Sequence, residues 1–153
     1  MINRKALIDE INLLLKERSV LWLSGVRRAG KTTICKTFEK AAYYDCELPS
    51  VRTQLEDVEF FLRQQKASLV VLDEIHRLSD PSNVLKIAAD HFPHIKIIAT
   101  GSSTLAARRK FKDTLTDRKR DIWIQPFLVR ELMGTPHYDL ERRFLHGGLP
   151  PAY

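Results

Sequence analysis

The chain has 153 residues and a net charge of +6, which fits a single domain spanning residues 1–153. Its 44% apolar and 29% charged residues are close to the averages of globular proteins and exclude disordered and collagen-like chains. No apolar run approaches the ~18 residues of a membrane span, and residues 1–18 contain Asp9, Glu10 and Glu17 but no secretory signal. We therefore expect a cytoplasmic protein that does not enter membranes.

Hydrophobic periodicity divides the chain into alternating helices and strands. The first predicted elements are a helix over 2–17, strand Val20–Ser24, a helix over 31–41, a weaker strand Ala42–Cys46, a helix with Leu55, Val58, Phe61 and Leu62, and strand Leu69–Asp73. The next helix has Asp80 as its predicted N-cap and Pro81 as its first residue, and it carries Val84, Ile87, Ala88 and Phe92. Strands Ile95–Thr100 and Ile122–Gln125, a helix over Pro126–Met133 and a last helix with Leu140, Phe144 and Leu145 complete the prediction. The strands are continuously apolar, as in parallel sheets covered on both faces. The pattern predicts a three-layer α/β domain with a central parallel sheet.

The two cysteines and the net charge restrict the function only weakly. Cys35 is expected on a helix and Cys46 near a strand end, and two cysteines without metal-ligand spacing form neither a disulfide framework nor a metal site. We expect both to be reduced core residues, in keeping with the cytoplasm. The positive charge fits contact with nucleic acid and equally a site for a polyanionic nucleotide.

A glycine-rich loop follows the first predicted strand. The sequence Gly25-Val26-Arg27-Arg28-Ala29-Gly30-Lys31-Thr32 matches G-x-x-x-x-G-K-[ST], and a strand before and a helix after it supply the required context. Glycines at both ends let successive backbone N–H groups turn inward, where they and the N-terminus of the helix can hold phosphate oxygens. The alternative is a chance glycine-rich turn, which the four fixed positions make improbable.

Each polar residue of this loop has an expected role toward a nucleoside triphosphate with Mg²⁺. Lys31 is predicted to place its ammonium between the β- and γ-phosphates, Thr32 to offer its hydroxyl to Mg²⁺, and Thr33 to reach the α-phosphate. Arg27 and Arg28 occupy variable positions, where either could approach the γ-phosphate or both could be solvated loop charges.

Two acids follow the predicted strand Leu69–Asp73, and the carboxyl ends of strands in an open α/β sheet face the ligand crevice. Asp73 is predicted to hold the Mg²⁺ shell and Glu74 to polarise the attacking water. The alternative is a strand that simply ends in solvated acids. The pair favours hydrolysis over transfer to a small molecule, while His76 can touch the site or serve only at the surface or in packing.

The next predicted strand ends in hydroxyl side chains. Ser102 and Thr100 are candidates to sense the γ-phosphate or hold the nucleophilic water. Ser102 or Ser103 could instead cap the following helix, and the two roles can coexist.

The stretch Arg108–Arg120 is strongly basic. It contains Arg108, Arg109, Lys110, Lys112, Arg118, Lys119 and Arg120, opposed only by Asp113 and Asp117. It could contact nucleic acid, or Arg118 could neutralise transition-state charge within the chain or on a neighbouring subunit. The third interpretation is a solvated helix and loop face.

Taken together, the motifs resemble a known family. GVRRAGKTT (25–33), LDEIHRL (72–78), TGSS (100–103), LTDR (115–118), PF at 126–127 with REL at 130–132, and GGLPPAY (147–153) are similar to the AAA-type ATPase domain of prokaryotic ATP-binding proteins that usually carry a C-terminal domain of unknown function. The resemblance covers essentially the whole chain. Relatives usually have glycine at the position of Asp117, and they continue past residue 153 into a further helical region, so the chain is expected to be the ATPase domain without that region.

The resemblance implies a P-loop NTPase fold with strand order 5-1-4-3-2. It also implies ATP and Mg²⁺ as cofactors, with Lys31 and Thr32 on phosphate and metal, Asp73 on the metal shell and Glu74 as catalytic base. We expect an ATPase that binds ATP and ADP and can form oligomers. The alternative is a nucleotide-dependent switch that binds protein or DNA with negligible hydrolysis, and a small-molecule kinase is disfavoured.

Overall fold

The computed structural model describes residues 4–101, 115, 117–133, 135–136 and 138–150, and its centre is a five-stranded parallel sheet. The strands are β1 (Val20–Gly25), β2 (Ala42–Asp45), β3 (Leu69–Asp73), β4 (Lys96–Thr100) and β5 (Lys119–Ile124). They lie in the order β2-β3-β4-β1-β5. This confirms the predicted fold class and the order 5-1-4-3-2, which is the same order counted from the other edge.

Helices cover the sheet and connect its strands. They are α1 (Lys5–Glu17), α2 (Lys31–Cys35), α3 (Pro49–Gln54), α4 (Val58–Arg63), α5 (Pro81–His91), α6 (Val129–Leu132) and α7 (Leu140–His146), with a 3-10 turn at Ile75–Arg77. Asp80 caps α5 as predicted, because its carboxylate accepts the N–H of Asn83 at 3.0 Å. In the part of the chain that is described, none of these helices has the length and apolar composition to cross a bilayer.

The sheet buries a hydrophobic cluster on each face. One cluster joins Val70 and Ile97 to residues of α3, α4 and α5, and the other joins Val71 and Ile98 to residues of α1 and α2. Alternate residues of one strand therefore enter different clusters, which explains why the strand sequences are continuously apolar. The predicted core cysteines are both buried free thiols, and burial is the main cause that raises the pKa of Cys46 to about 12.

Two of the predicted helices are shorter than expected. The helix predicted over 31–41 ends at Cys35, because the N–H and hydroxyl of Thr37 both turn back to the Ile34 carbonyl at 3.0 and 2.7 Å. The helix predicted around Leu55–Leu62 is two helices, since Asp57 caps α4 by accepting the N–H of Phe60 at 2.9 Å. In both places a local bond from a side chain to the backbone interrupts the predicted helix.

The region after the basic stretch also differs from the prediction. Strand β5 begins at Lys119 rather than Ile122, so the last basic residues belong to the sheet. The helix predicted over Pro126–Met133 is reduced to Val129–Leu132. The backbone of Phe127 is not helical because its N–H donates to the Gly148 carbonyl at 2.7 Å, a contact 21 residues away in sequence that periodicity does not encode.

Gly25 provides a test of how closely β1 and β5 approach. A Cβ at Gly25 would lie 2.3 Å from the backbone oxygen of Ile124, its register partner. Because backbone cannot move aside as a side chain can, we expect Gly25→Ala to lower the free energy of unfolding by about 3 kcal/mol. Chemical denaturation monitored by Trp fluorescence measures this value.

The matched control for Gly25→Ala is Gly147→Ala. Gly147 has a positive φ of 75° but no atom within 4 Å of the added Cβ, so only backbone strain opposes the substitution. We expect a loss of about 1 kcal/mol. Equal losses in the two variants would contradict the proposed steric contact with Ile124.

Candidate functional site

Three strand ends and one helix start converge at one edge of the sheet. Strands β1, β3 and β4 are parallel neighbours or next neighbours, so the loop after Gly25, the acids at Asp73 and Glu74, and Thr100 all lie at their carboxyl ends. The hydroxyl of Thr32 at the start of α2 donates to Asp73 Oδ2 at 2.8 Å. The geometry thus brings the glycine loop to the acidic pair, as the sequence predicts.

The glycine loop has the backbone conformation that its sequence requires. Gly25 and Gly30 have φ angles of 155° and 90°, and Arg28 has a left-handed φ of 66° that is uncommon for a residue with a Cβ. Val26, Arg27, Arg28 and Thr33 are exposed, whereas Ala29 is buried. A tight turn bonds Ala29 N–H to the Val26 carbonyl at 3.3 Å. The exposed face of this turn is open to an anionic ligand.

Lys31 is a buried cation that folds back over the loop. Its side chain is only 6% exposed, and its ammonium donates to the carbonyls of Gly25 and Val26 at 3.1 and 3.0 Å. Burial lowers the pKa of Lys31, while the charges of Glu74 and Asp73 oppose that shift. Neither carboxylate is among its hydrogen-bond partners in the structure as described, so a phosphate can supply the direct charge partner that this ammonium favours.

Asp73 is a buried carboxylate held by neutral hydroxyl groups. It is 3% exposed and accepts hydrogen bonds from Thr32, Tyr43 and Thr100. Its oxygens and the Thr32 hydroxyl are the hard ligands that Mg²⁺ prefers, and Mg²⁺ usually takes one or two protein ligands besides phosphate and water. The described residues contain no cluster of three or more His, Cys, Asp and Glu side chains that could hold a metal by themselves. The Thr32 hydroxyl and the Asp73 carboxylate fit a Mg²⁺ that takes its other ligands from phosphate and water.

Glu74 presents its carboxylate at the mouth of the site. Its backbone is left-handed, with φ 53°, and its N–H donates to the Thr100 hydroxyl at 3.0 Å. The carboxylate is 29% exposed and one oxygen lies 3.1 Å from Nδ1 of His76. A partly exposed carboxylate with a fixed backbone can accept a proton from water. His76, for which the sequence allows either a site role or a surface or packing role, contacts the predicted base.

Thr100 and Ser102 were predicted as alternatives at the end of β4. Thr100 is fully buried and its hydroxyl is engaged by both acids, since it donates to Asp73 and accepts from the Glu74 N–H. Thr100 therefore positions the acids and does not face a ligand. Ser102 lies outside the described residues.

Comparison with known proteins agrees with this arrangement. A family model described as an AAA domain matches residues 17–133, which is more than half of the chain. The chain belongs to the AAA domain family. Membership of this family supports nucleotide binding by the chain.

Individual relatives place this AAA domain within longer proteins. The chain is 27% identical over 157 residues to the uncharacterized protein Rv2008c of Mycobacterium tuberculosis, covering all of this chain and 35% of that protein. The solved Walker-type ATPase PABY2304 of Pyrococcus abyssi is 18% identical with a TM-score of 0.68, covering 98% of this chain and 65% of that one. The Saccharomyces cerevisiae Hsp104–ADP complex is 18% identical with a TM-score of 0.61, covering 96% and 24%. At these identities the two structures show the shared fold.

The structure does not bring Arg118 to the glycine loop of this AAA domain. Lys119 pairs with Val20, at the end of β1 opposite Gly25, so about 16 Å of strand separate Arg118 from the loop. Its guanidinium bonds Asp90 near the end of α5 at 2.7 Å, and this hydrogen bond holds the pKa of Asp90 below its usual value. The structure therefore gives no support to the intramolecular role, and the role on a neighbouring subunit stays a prediction.

The sequence analysis did not identify Tyr43 as a site residue. Tyr43 lies on β2 and its phenol donates to Asp73 Oδ2, the oxygen that Thr32 also contacts. Burial and then the bond to Asp73 raise the pKa of Tyr43. The feature that indicates a site role for Tyr43 is its position on β2, the strand beside β3. That position follows from the order of strands in the sheet, which the distance between the two strands in sequence does not reveal.

A second group that the sequence analysis missed is centred on Arg4. Its guanidinium makes two bonds to Glu131, at 2.8 and 3.2 Å, and donates to the carbonyls of Gln125 at 3.0 Å and Ala29 at 3.4 Å. It also lies over the ring of Phe127. Phe127 belongs to the PF motif and Glu131 to the REL motif, so both motifs contact Arg4. The contacts of Arg4 connect the start of α1 to the glycine loop and to α6.

We expect Glu131→Gln to destabilise the domain, because it leaves the mostly buried Arg4 without a counter-charge. Loss of one partner from a buried pair costs about 3 kcal/mol. The control is Glu59→Gln, which breaks a pair with Arg63 whose side chains are 61% and 65% exposed, and which should cost under about 0.5 kcal/mol. Urea denaturation of both variants measures the difference, and equal losses would contradict the role of the Arg4 pair.

Proposed function

We propose that this AAA domain binds ATP with Mg²⁺ through residues 25–33 and hydrolyses it, with Glu74 as the base that activates water. The observation that carries the proposal is the juxtaposition of a buried ammonium, a hydroxyl bonded to a buried carboxylate and a partly exposed carboxylate at one edge of the sheet. The AAA family match supports the nucleotide site. The similar Hsp104 structure is a complex with ADP, which supports an adenine nucleotide as the ligand here.

The two acids have different surroundings, which support different roles. Asp73 is buried and accepts hydrogen bonds from three hydroxyl groups, which hold its oxygens in place as acceptors for the water shell of Mg²⁺. Bound Mg²⁺ would neutralise charge on the β- and γ-phosphates, and Thr32 and Asp73 would hold it. Glu74 is more exposed and its backbone is fixed by Thr100, so it can take a proton from water in the crevice.

Hydrolysis is favoured over a pure nucleotide switch by the position of Glu74. A switch needs the phosphate cradle and the metal site but no base, whereas here a second carboxylate lies directly after the metal carboxylate and contacts an imidazole. Nitrogen Nδ1 of His76 lies 3.1 Å from the Glu74 carboxylate, close enough to influence its position. Ser102 is proposed as a further contact to the γ-phosphate, on its position after β4.

Two substitutions separate binding from turnover. Lys31→Ala removes the buried ammonium and should weaken ATP binding at least about 100-fold, which corresponds to a lost hydrogen-bonded charge pair. Glu74→Gln keeps the size of the side chain but not its basicity, so it should bind ATP normally and lose at least about 100-fold in turnover. Calorimetry with ATP and a phosphate-release assay on the same samples measure both effects. Normal turnover by Glu74→Gln would remove Glu74 from the mechanism.

A neighbouring copy of the chain is proposed to receive Arg118. This side chain lies at the sheet edge opposite the glycine loop and is 38% exposed, so it can reach outward only to another molecule. If it acts across a subunit contact, neither Arg118→Ala nor Glu74→Gln alone should turn over ATP. Their equal mixture should recover about a quarter of wild-type activity, since one contact in four joins a subunit that keeps Glu74 to a neighbour that keeps Arg118. A mixture as inactive as either variant would exclude this role.

Nucleic-acid binding through Arg108–Arg120 remains the second candidate function. The described part of this stretch gives it little support, because Arg118, Lys119 and Arg120 each face an acid, namely Asp90, Asp121 and Glu17. The Arg120 pair is the loosest, at 3.9 Å. A gel shift with ATP whose strength falls with salt would support this function, and no shift at low salt would count against it.

A further inference from the structure

Tyr43 shares the metal-binding oxygen of Asp73 with Thr32. On β2 it is the register partner of Val71, so its side chain lies on the same face of the sheet as Val71 and Asp73. From there the phenol reaches along the strand direction to Asp73 Oδ2. This face is the one covered by α2, which carries Thr32 at its start. Tyr43 and Thr32 thus approach the same carboxylate oxygen from different elements.

The hydrogen-bond capacity of Asp73 is limited. A carboxylate offers about four acceptor positions, two on each oxygen. Thr100 uses one position on Oδ1, while Thr32 and Tyr43 use both positions on Oδ2. Thr32 can keep its bond when a metal binds, because its proton points to Asp73 and its oxygen lone pairs are free for the metal. The acceptor position next to Thr32 that a metal-bound water needs is the one that Tyr43 occupies.

The position of Tyr43 also allows its phenol to move away from Asp73. It lies on β2, the outermost strand of the sheet, and it is 36% exposed. The ammonium of Lys36 lies 5.7 Å from the centre of its ring. This cation–π contact holds the ring in the position that the structure shows. Movement of an edge side chain toward solvent disturbs no packed core.

We propose that Tyr43 is a latch on Asp73, and that its hydroxyl must leave Oδ2 before the hydrated metal of a metal-nucleotide complex can bind. This inference rests on the proposed function, since it concerns the same metal site. A hydrogen bond that exists only in the metal-free form stabilises that form. Metal binding must break this bond, so the affinity for the metal is lower by the free energy of the bond. Tyr43 therefore sets how much Mg²⁺ the domain needs and is a positioning residue rather than a catalytic one.

The test is the Mg²⁺ dependence of ADP binding in Tyr43→Phe. At a fixed concentration of a fluorescent ADP analogue, the Mg²⁺ concentration for half-maximal binding should fall about fivefold, as expected for one released hydrogen bond. Binding of the same analogue in EDTA should not change, because the phenol contacts the carboxylate and not the phosphate cradle. Tyr43→Leu, which also lacks the hydroxyl, provides a second variant if Tyr43→Phe is poorly folded.

The matched control is Tyr44→Phe. Tyr44 is the next residue of the same strand, but its phenol donates to Gln65 Oε1 at 3.0 Å, away from Asp73. This variant loses the same chemical group and should leave the Mg²⁺ dependence unchanged. Thermal unfolding of both variants checks that they retain the fold.

The outcomes distinguish the latch from its rivals. An unchanged or higher Mg²⁺ requirement in Tyr43→Phe would overturn the latch, and a higher one would make Tyr43 a support of the bound metal. Wild-type binding that is equally tight in Mg²⁺ and in EDTA would overturn it too, while leaving nucleotide binding intact. A wild-type domain that binds no ADP under either condition would remove the proposed function and the latch together.

Discussion

The buried carboxylate of Asp73 connects the elements that form the site. It is the last residue of β3, and its three hydroxyl donors come from α2, β2 and β4. Burying a carboxylate costs desolvation energy, and the three hydroxyl donors offset part of that cost. The same bonds fix the distance between the glycine loop and the acidic pair. Folding and preparation for a metal are therefore achieved by one set of contacts.

The ligand-free site holds charges that a nucleotide can use. Lys31 is buried against two carbonyl oxygens, and burial lowers its pKa, which means that the fold disfavours its charged form. In the proposed function, a triphosphate with Mg²⁺ would supply an anion to Lys31 and a cation near Asp73. We expect binding to stabilise the domain strongly for this reason, by linkage between ligand binding and folding.

The site is also connected to the far end of the chain. Arg4 links α1, the glycine loop and α6, while Phe127 bonds Gly148, and Pro150 lies 3.6 Å from where a Cβ on Gly30 would be. The residues around Gly148 and Pro150 therefore lie against the loop that is proposed to hold phosphate. In Rv2008c, of which this chain spans 35%, the matching region is part of a much longer protein.

The sequence by itself determined the fold class, the strand segments, the glycine loop and the acidic pair, because these depend on local periodicity and on fixed short spacings. It also determined Asp80 as a cap, which is a local bond. Only the tertiary structure decided that Tyr43 and Thr32 share an oxygen of Asp73, that Arg4 pairs with Glu131, and that Arg118 faces away from the loop. These contacts join residues that are far apart in the chain, and they depend on which strands are neighbours and on which face each side chain lies. Periodicity carries no information about such pairs, since it records the face of one element and not its partner.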